Sequence, residues 1–435
     1  MSRKVPSVLL ASAAMGGTIA AVRGLAREGV EVRVVSSGRF APAAWSRYAA
    51  RAYAAPSEKS TEKFLQRLVA IGSEAPGQVL LPTSDETAWL YGTHADELGR
   101  HFRMYSVSAE ILNRALDKRL FADAAHGAGL NVPPTWYPAD LNDVARLAPA
   151  LDYPILIKPR THVRRLRNDK GAVVRTAQEL ISEYKLIIAR EGLSGSEAPL
   201  PSSHWPILQK FLPVGAEGVL SISGFLDRTG EFFVARTTRK VFQRSQPVGV
   251  GVCFEALPQD RALTEAVHAL CRRLGYFGIF EVEFIRSEGN WYAIDFNPRL
   301  FNQLGMDIRR GMNTPLFAYL DATDNRALLR ERIARAQVED NEKIVFFDRF
   351  TLRAILLAQR FSGRISHDDL GKWRAWLKEN EFNGVDFAED ASDPVPAILH
   401  ALDEIYLGLK ALPRFLRNTP RVSSIADPNL MKRRT

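Results

Sequence analysis

Glu283, Asp295 and Asn297 carry the strongest chemical signal in the chain. They stand in the stretches Phe280-Glu281-Val282-Glu283-Phe284 and Ile294-Asp295-Phe296-Asn297-Pro298-Arg299, joined through Ser287-Glu288-Gly289-Asn290. The spacing predicts two strands of a hairpin turning at that polar tetrapeptide. Side chains on a strand alternate faces, so Asp295 and Asn297 share one face and Glu283 can join them from across the hairpin. Two carboxylates and an amide oxygen are hard donors suited to Mg²⁺, which binds one or two carboxylates and leaves room for substrate phosphates. Arg299, one step further on that face, is placed to touch an anion beside the metal. Rival chemistries lack their residues. His126, His162 and His268 are not spaced as metal ligands and are expected on the surface or in the core. The two cysteines, Cys253 and Cys271, cannot build a zinc cluster alone and suggest no disulfide framework, which points to a reducing cytoplasm. Cys271 reads as core, and Cys253 has no neighbouring His to make it a nucleophile.

The elements that must position these groups follow from periodicity. The 435 residues suggest about three domains. Residues 1–113 alternate apolar strands and helices: Val8-Leu9-Leu10-Ala11, the turn Met15-Gly16-Gly17-Thr18, a helix to Glu28, then Val30 to Val35. This βαβ unit continues through Val79-Leu80-Leu81-Pro82 and the polar turn Thr83–Glu86, giving a parallel, Rossmann-like sheet. The Gly16-Gly17 turn is not a full dinucleotide fingerprint, so bound NAD is not expected. The apolar run Val8–Met15 after Arg3 and Lys4 has a signal-peptide flavour, but cleavage there would delete the first strand. Residues 114–320 read as an α+β segment whose strands come in antiparallel pairs. It includes Tyr153-Pro154-Ile155-Leu156-Ile157-Lys158-Pro159, a very basic loop Arg160–Gly171, and a Gly/Ser/Pro-rich stretch Gly192–Ser203. Residues 321–435 read as a mostly helical extension. There Asp390–Pro396 resembles a linker, and Ala397–Leu416 is an amphipathic helix with Ile398, Leu399, Leu402, Ile405, Leu409 and Leu412.

Lys and Arg number 58 against 49 Asp and Glu, a net charge of +9. The excess is spread along the chain, with clusters at Arg164–Arg167 and Lys432–Arg434, and no nucleic-acid reading motif accompanies it. An anionic small substrate such as a phosphate ester explains it. No apolar run is long enough for a membrane span. The helix Ala397–Leu416 is expected to dock on the protein body; its alternative, with Arg414, Arg417, Arg421 and the basic end, is peripheral contact with anionic lipid.

The acid–hairpin–acid–Asn-Pro-Arg pattern resembles the metal site of the ATP-grasp superfamily, including carboxylate–amine and carboxylate–thiol ligases and the ATP-binding domain of carbamoyl phosphate synthase. The resemblance covers about residues 1–315. It implies an ATP-grasp fold, α/β and α+β, with a Rossmann-like front domain and a C-terminal helical extension. It implies nucleotide-binding roles for Lys118, opening a helix after Asp117, and for Lys158. It implies that adenine lies along Gln209, Lys210, Phe211 and Leu212, and that Glu217 stands near the ribose. Arg239-Lys240 and Gln246–Gly249 resemble the basic strand and turn facing the phosphates; Arg239 and Arg299 are the implied catalytic cations, and Glu283, Asp295 and Asn297 the metal ligands. The family's glycine-rich phosphate loop is replaced here by Arg160–Gly171, whose Arg164, Arg165, Arg167 and Lys170 can clamp phosphates or a substrate. The implied activity is a cytoplasmic ligase using ATP with Mg²⁺, or Mn²⁺ in its place. It joins a carboxylate to an amine through an acylphosphate and releases ADP and phosphate. The alternative is a non-catalytic ATP-binding regulatory protein.

Overall fold

The computed structural model describes residues 5–163, 171–191, 204–214, 218–244 and 249–417. The side chains expected to act at Arg164, Arg165, Arg167, Lys170, Glu217, Gln246, Arg421 and Lys432–Arg434 lie outside them, as does the stretch 192–203.

The front of the chain forms a five-stranded parallel sheet, β1 (Val8–Leu10), β2 (Val32–Ser36), β3 (Ala49–Ala54), β4 (Gln78–Leu81) and β5 (Phe102–Met104), in the order β3-β2-β1-β4-β5. Helices cover both faces of β1 and β4, so these strands are buried at every residue and, after Gln78, read as apolar runs. One face packs on the helix Thr61–Glu74 through Phe64, Leu68 and Ile71. The other joins a core shared with the wholly buried helix Thr314–Ala322 and with Phe225 and Ile279 of the large sheet described below.

A small antiparallel sheet follows, from β6 (Thr135–Trp136), β7 (Ile155–Lys158), β8 (Ala172–Val174) and β9 (Ile207–Lys210), in the order β6-β9-β7-β8. The large sheet has seven strands: β10 (Val219–Leu226), β11 (Phe233–Gln243), β12 (Gly251–Leu257), β13 (Gly278–Ser287), β14 (Asn290–Asn297), β15 (Val345–Phe347) and β16 (Gly384–Asp386). Their order is β14-β13-β10-β11-β12-β15-β16, antiparallel except for the last pair. Residues beyond 320 are mostly helical, as expected, yet they also supply β15 and β16 to this sheet. Strands from both sides of the expected boundary at 320 therefore belong to one sheet.

Two expectations for the C-terminal part are corrected. Asp390–Pro396 does not behave as a linker: buried Asp393 accepts Arg23 Nε at 3.0 Å, Ser46 Oγ at 2.6 Å and Arg47 N at 2.9 Å, latching it to the front domain. The helix Val395–Arg417 does dock on the body, but by its polar flank. His400 Nε2 lies 2.9 Å from Asp348 Oδ2, and Glu404 pairs with Arg244, while Ile398, Leu402, Ile405 and Leu409 face outward.

Candidate active site

The site grows from the β13–β14 hairpin. Glu281 stands opposite Asn297 and Glu283 opposite Asp295, so all four polar side chains share one face. The intervening Phe280, Val282, Phe284 and Phe296 fill a core on the reverse face with Val267, Leu270 and Cys271 of the helix Arg261–Leu274. Burial of that apolar face fixes the register; a slip by one residue would bury the acids instead. β10 extends the polar face, with Ser223 opposite Glu281 and Ser221 opposite Glu283.

Each acid is met by a partner from a distant part of the chain. Lys118 Nζ lies 2.9 Å from Asp295 Oδ1, and His162 Nε2 lies 3.8 Å from Asp295 Oδ2. Burial alone would raise the pKa of Asp295, but Lys118, His162 and Lys158 together hold it well below the usual carboxylate range. Lys240 Nζ lies 3.1 Å from Glu283 Oε1. Glu281 is buried and accepts Asn297 Nδ2 at 2.9 Å and Gln303 Nε2 at 2.5 Å. Burial, reinforced by the Glu283 carboxylate, pushes its pKa up against the pull of Arg299 and Lys240. Arg299 ties the hairpin to its surroundings. It donates to Asp85 Oδ1 at 3.0 Å, to the Leu300 carbonyl at 2.9 Å and to Asn297 Oδ1 at 2.9 Å.

Asp85 opens the helix after β4, in the polar turn at the carboxyl end of the front sheet where ligands of open α/β sheets sit. The Asp85–Arg299 bond therefore brings that edge against the hairpin. The same edge carries a hydroxyl cluster: Ser12 Oγ donates to Glu58 Oε1 at 2.7 Å, and Thr83 Oγ1 to Ser12 Oγ at 2.9 Å. Ser12 has φ +50°, an uncommon conformation for a residue with a Cβ.

The lysines are held by their own local structure. Asp117 caps the helix Lys118–Gly127, accepting Arg119 N at 2.9 Å and Leu120 N at 3.1 Å, and it also accepts Arg160 Nε at 2.7 Å. The Lys118 amide donates to the Arg160 carbonyl at 3.0 Å. Lys158 is the last residue of β7, two positions before Arg160, and is buried. Opposite β7 runs β9, where Leu156 pairs with Gln209. Gln209 Nε2 donates to Thr135 Oγ1 at 3.1 Å, and Lys210 turns its ammonium to Asp152. Half-buried Phe211 and Leu212 continue the strand's line. These residues thus sit on the small sheet beside Lys158, and Lys118 spans to the carboxylates of the large sheet. At the far end of the basic loop, Gly171 has φ +115°, and a Cβ there would lie 2.1 Å from the Ile157 carbonyl oxygen, so no other residue fits.

Arg239 is not brought into this group. It donates to Glu255 Oε2 at 2.6 Å, and Glu255 also accepts Trp376 Nε1 at 2.9 Å. Neighbouring strand residues point to opposite faces, and it is Lys240 that reaches the acids. The structure thus places Arg239 on the face away from the acids and Lys240 on theirs. Three further groups escaped the sequence reading. Glu281 was legible, since it shares Glu283's parity. Asp85 lies in the polar turn Thr83–Glu86 that the sequence shows, but its bond to Arg299, like the approach of His162, is a contact distant in sequence.

Among the described residues, no three His, Cys, Asp or Glu side chains converge as a ready metal centre. The carboxylates are instead compensated by ammonium groups. Their chemistry nevertheless fits Mg²⁺: hard oxygens from Glu281, Glu283, Asp295 and Asn297 line one face. Beside them the buried hydroxyls of Ser221 and of Thr238, opposite it on β11, have no hydrogen-bond partner.

No family model matches the sequence. The carbamoyl phosphate synthase large chain of Myxococcus xanthus is 27% identical over 248 residues, which is 55% of this chain and 20% of that protein. The large chain of Thermotoga neapolitana is 24% identical over 238 residues, 53% of this chain and 20% of its own. The chain thus spans only a fifth of the length of these relatives. Among solved structures, a biotin carboxylase–β,γ-ATP complex from Campylobacter jejuni superposes with TM-score 0.59 at 17% identity, over 73% of this chain and 70% of that one. L-amino acid ligase from Bacillus licheniformis superposes with TM-score 0.53 at 15% identity, over 73% and 75%. N5-carboxyaminoimidazole synthetase from Staphylococcus aureus does so with TM-score 0.53 at 13% identity, over 73% and 77%. With a small antiparallel sheet, a larger and mostly antiparallel one, a parallel front sheet and an acid hairpin faced by lysines, the chain has the ATP-grasp fold.

Proposed function

We propose that the protein is an ATP- and Mg²⁺-dependent ligase that phosphorylates a carboxylate and passes the acyl group to an amine, releasing ADP and phosphate. The observation that carries this reading is the compensated acid hairpin. Glu281, Glu283 and Asp295 are matched by Lys118, Lys240 and Arg299 from separate elements. Phosphates would draw these ammonium groups, leaving the carboxylate oxygens free to hold a divalent cation. Mg²⁺, held by Glu281, Glu283, Asp295 and Asn297, would supply charge neutralisation at the outer phosphates. Lys158 and Lys118 would hold the phosphates from the small-sheet side. Gln209 to Leu212 would position the base through their backbone.

The remaining chemistry is positioning and charge stabilisation, which needs no nucleophile from the protein. A substrate carboxylate oxygen attacks the γ phosphorus and ADP leaves. The amine then attacks the acyl carbon and phosphate leaves. The carboxyl edge of the front sheet, with Ser12, Glu58, Thr83 and Ser84, lies next to Arg299 through Asp85 and would receive the carboxylate or the amine. The test is a screen of acids with amines for phosphate release, followed by chromatography of the nucleotide products. ADP is the expected product. AMP and pyrophosphate would overturn the acylphosphate route, and nucleotide binding with no turnover for any pair would favour the regulatory alternative.

A further inference from the structure

The helix Val395–Arg417 leaves an apolar stripe on the protein's surface. Ile398, Leu402, Ile405 and Leu409 are 59%, 57%, 49% and 64% exposed. At 3.6 residues per turn they fall within about 60° of arc. The helix is not loose, because its other flank is anchored through His400 to Asp348 and through Glu404 to Arg244. The stripe therefore points away from the body by construction. Four aligned aliphatic side chains left in water need a cover.

The neighbouring surface says what covers it. The helix Arg349–Phe361 packs against Val395–Arg417 and has an exposed face of its own. That face carries Leu357 and Phe361, 45% and 89% exposed, beside exposed Arg353 and Arg360. No Asp or Glu occurs from Arg349 to Ser366. Exposed Lys410 and Asp403 flank the stripe, and beyond the described side chains the sequence adds Arg414, Arg417, Arg421 and Lys432-Arg433-Arg434 against the single acid Asp427. Apolar side chains bordered by cations fit the boundary between acyl chains and anionic headgroups. No described helix is long and apolar enough to cross a membrane, so this mode lies on the surface.

We propose that these two helices form a docking face for a bilayer rich in anionic lipid. The aliphatic stripe inserts at the headgroup boundary, and the arginines and lysines meet the lipid charge. A carrier of a hydrophobic acyl substrate would gain from such a placement, but the docking face stands independently of the ligase reading.

The test is flotation of the full chain with vesicles of phosphatidylcholine containing a third phosphatidylglycerol, beside pure phosphatidylcholine vesicles. Binding is expected to the anionic vesicles only, and to fall at least tenfold in half-molar salt. The double variant Leu402→Glu/Leu409→Glu is expected to lose it. Arg353→Gln/Arg360→Gln, which leaves the apolar stripe intact, is expected to weaken it several-fold. Unchanged far-ultraviolet circular dichroism and unfolding midpoints in both variants show that they are folded. Absence of flotation, equal binding to neutral vesicles, or wild-type flotation by the folded arginine variant overturns the proposal. So does a wild-type dimer in light scattering that Leu402→Glu/Leu409→Glu converts to monomer, because the stripe then belongs to a second copy of this chain.

Discussion

Replacing Lys240 by Met and, separately, Arg239 by Met tests which face of β11 meets the nucleotide. Lys240 Nζ and Glu283 Oε1 are 3.1 Å apart, with side chains 7% and 23% exposed. At an effective dielectric of about 20, charges at that separation attract by roughly 5 kcal/mol before desolvation is counted. Removing one partner of a buried pair costs about 3–5 kcal/mol. Water reaches Glu283, so about 2–3 kcal/mol is expected here. The loss is compounded because Glu283 then bears on Glu281, whose ionisation Lys240 now assists. If Lys240 also faces the transferring phosphoryl group, the turnover rate falls by about 10²–10³. Arg239 lies 2.6 Å from Glu255, which keeps its bond from Trp376 when the guanidinium is lost. About 1 kcal/mol of stability and a rate change under about threefold are expected for Arg239→Met. Urea unfolding gives the stabilities, calorimetry with ADP and Mg²⁺ the affinities, and phosphate release the rates. A large loss of ADP affinity in Arg239→Met with little change in Lys240→Met would refute the assignment of faces.

Lys158→Ala is expected to weaken ATP binding at least tenfold while leaving the unfolding midpoint within a few degrees; equal affinity in calorimetry would remove Lys158 from the nucleotide site. Glu281→Gln keeps the shape but only one acceptor oxygen, so one of the bonds from Asn297 and Gln303 is kept and the other needs that amide to turn over; it should raise the Mg²⁺ concentration needed for half-maximal ATP turnover several-fold, whereas an unchanged Mg²⁺ titration would make Glu281 purely structural. Asp307 is fully buried, accepts Ser223 Oγ, and has a pKa raised from 3.8 to about 6 by burial. Because the folded state binds the extra proton, its contribution to stability is full below about pH 4 and is lost as pH rises through about 6, a change of roughly 3 kcal/mol. Asp307→Asn should therefore gain on the wild type across that window in paired urea titrations, and a pH-independent difference would contradict the shift.

Where chemistry coincides with local periodicity, the sequence is legible. The hairpin shows itself because aromatics alternate with acids on both sides of Ser287–Asn290, and Asp117-Lys118 shows itself because Asp is a helix cap. Lys158 is visible as the one polar residue closing an apolar strand. The parity of β11 is not visible. Arg239 and Lys240 are equivalent as neighbours in sequence, and only pairing with β10 and β12, irregular just beyond Lys240, decides which one faces the acids. The strands β15 and β16 are three residues each, too short for a period, and they exist because the edge of β12 accepts them.

The contacts that assemble the site join residues far apart in the chain: Lys118 with Asp295, Arg299 with Asp85, Lys240 with Glu283. None is a local preference. Each depends on apolar packing elsewhere, which sets the distance between the hairpin, the small sheet and the front sheet. The same logic separates the amphipathic helix Val395–Arg417 from its environment. Its spacing announces an apolar face but not what meets it, and periodicity alone favours burial against the body. Two polar anchors, His400–Asp348 and Glu404–Arg244, turn the helix the other way. A buried polar contact can choose an orientation even where it adds little stability, because the alternative orientation would leave Asp348 buried beside an aliphatic surface. Specificity of placement, rather than strength, is the role that these long-range charge pairs share across the molecule.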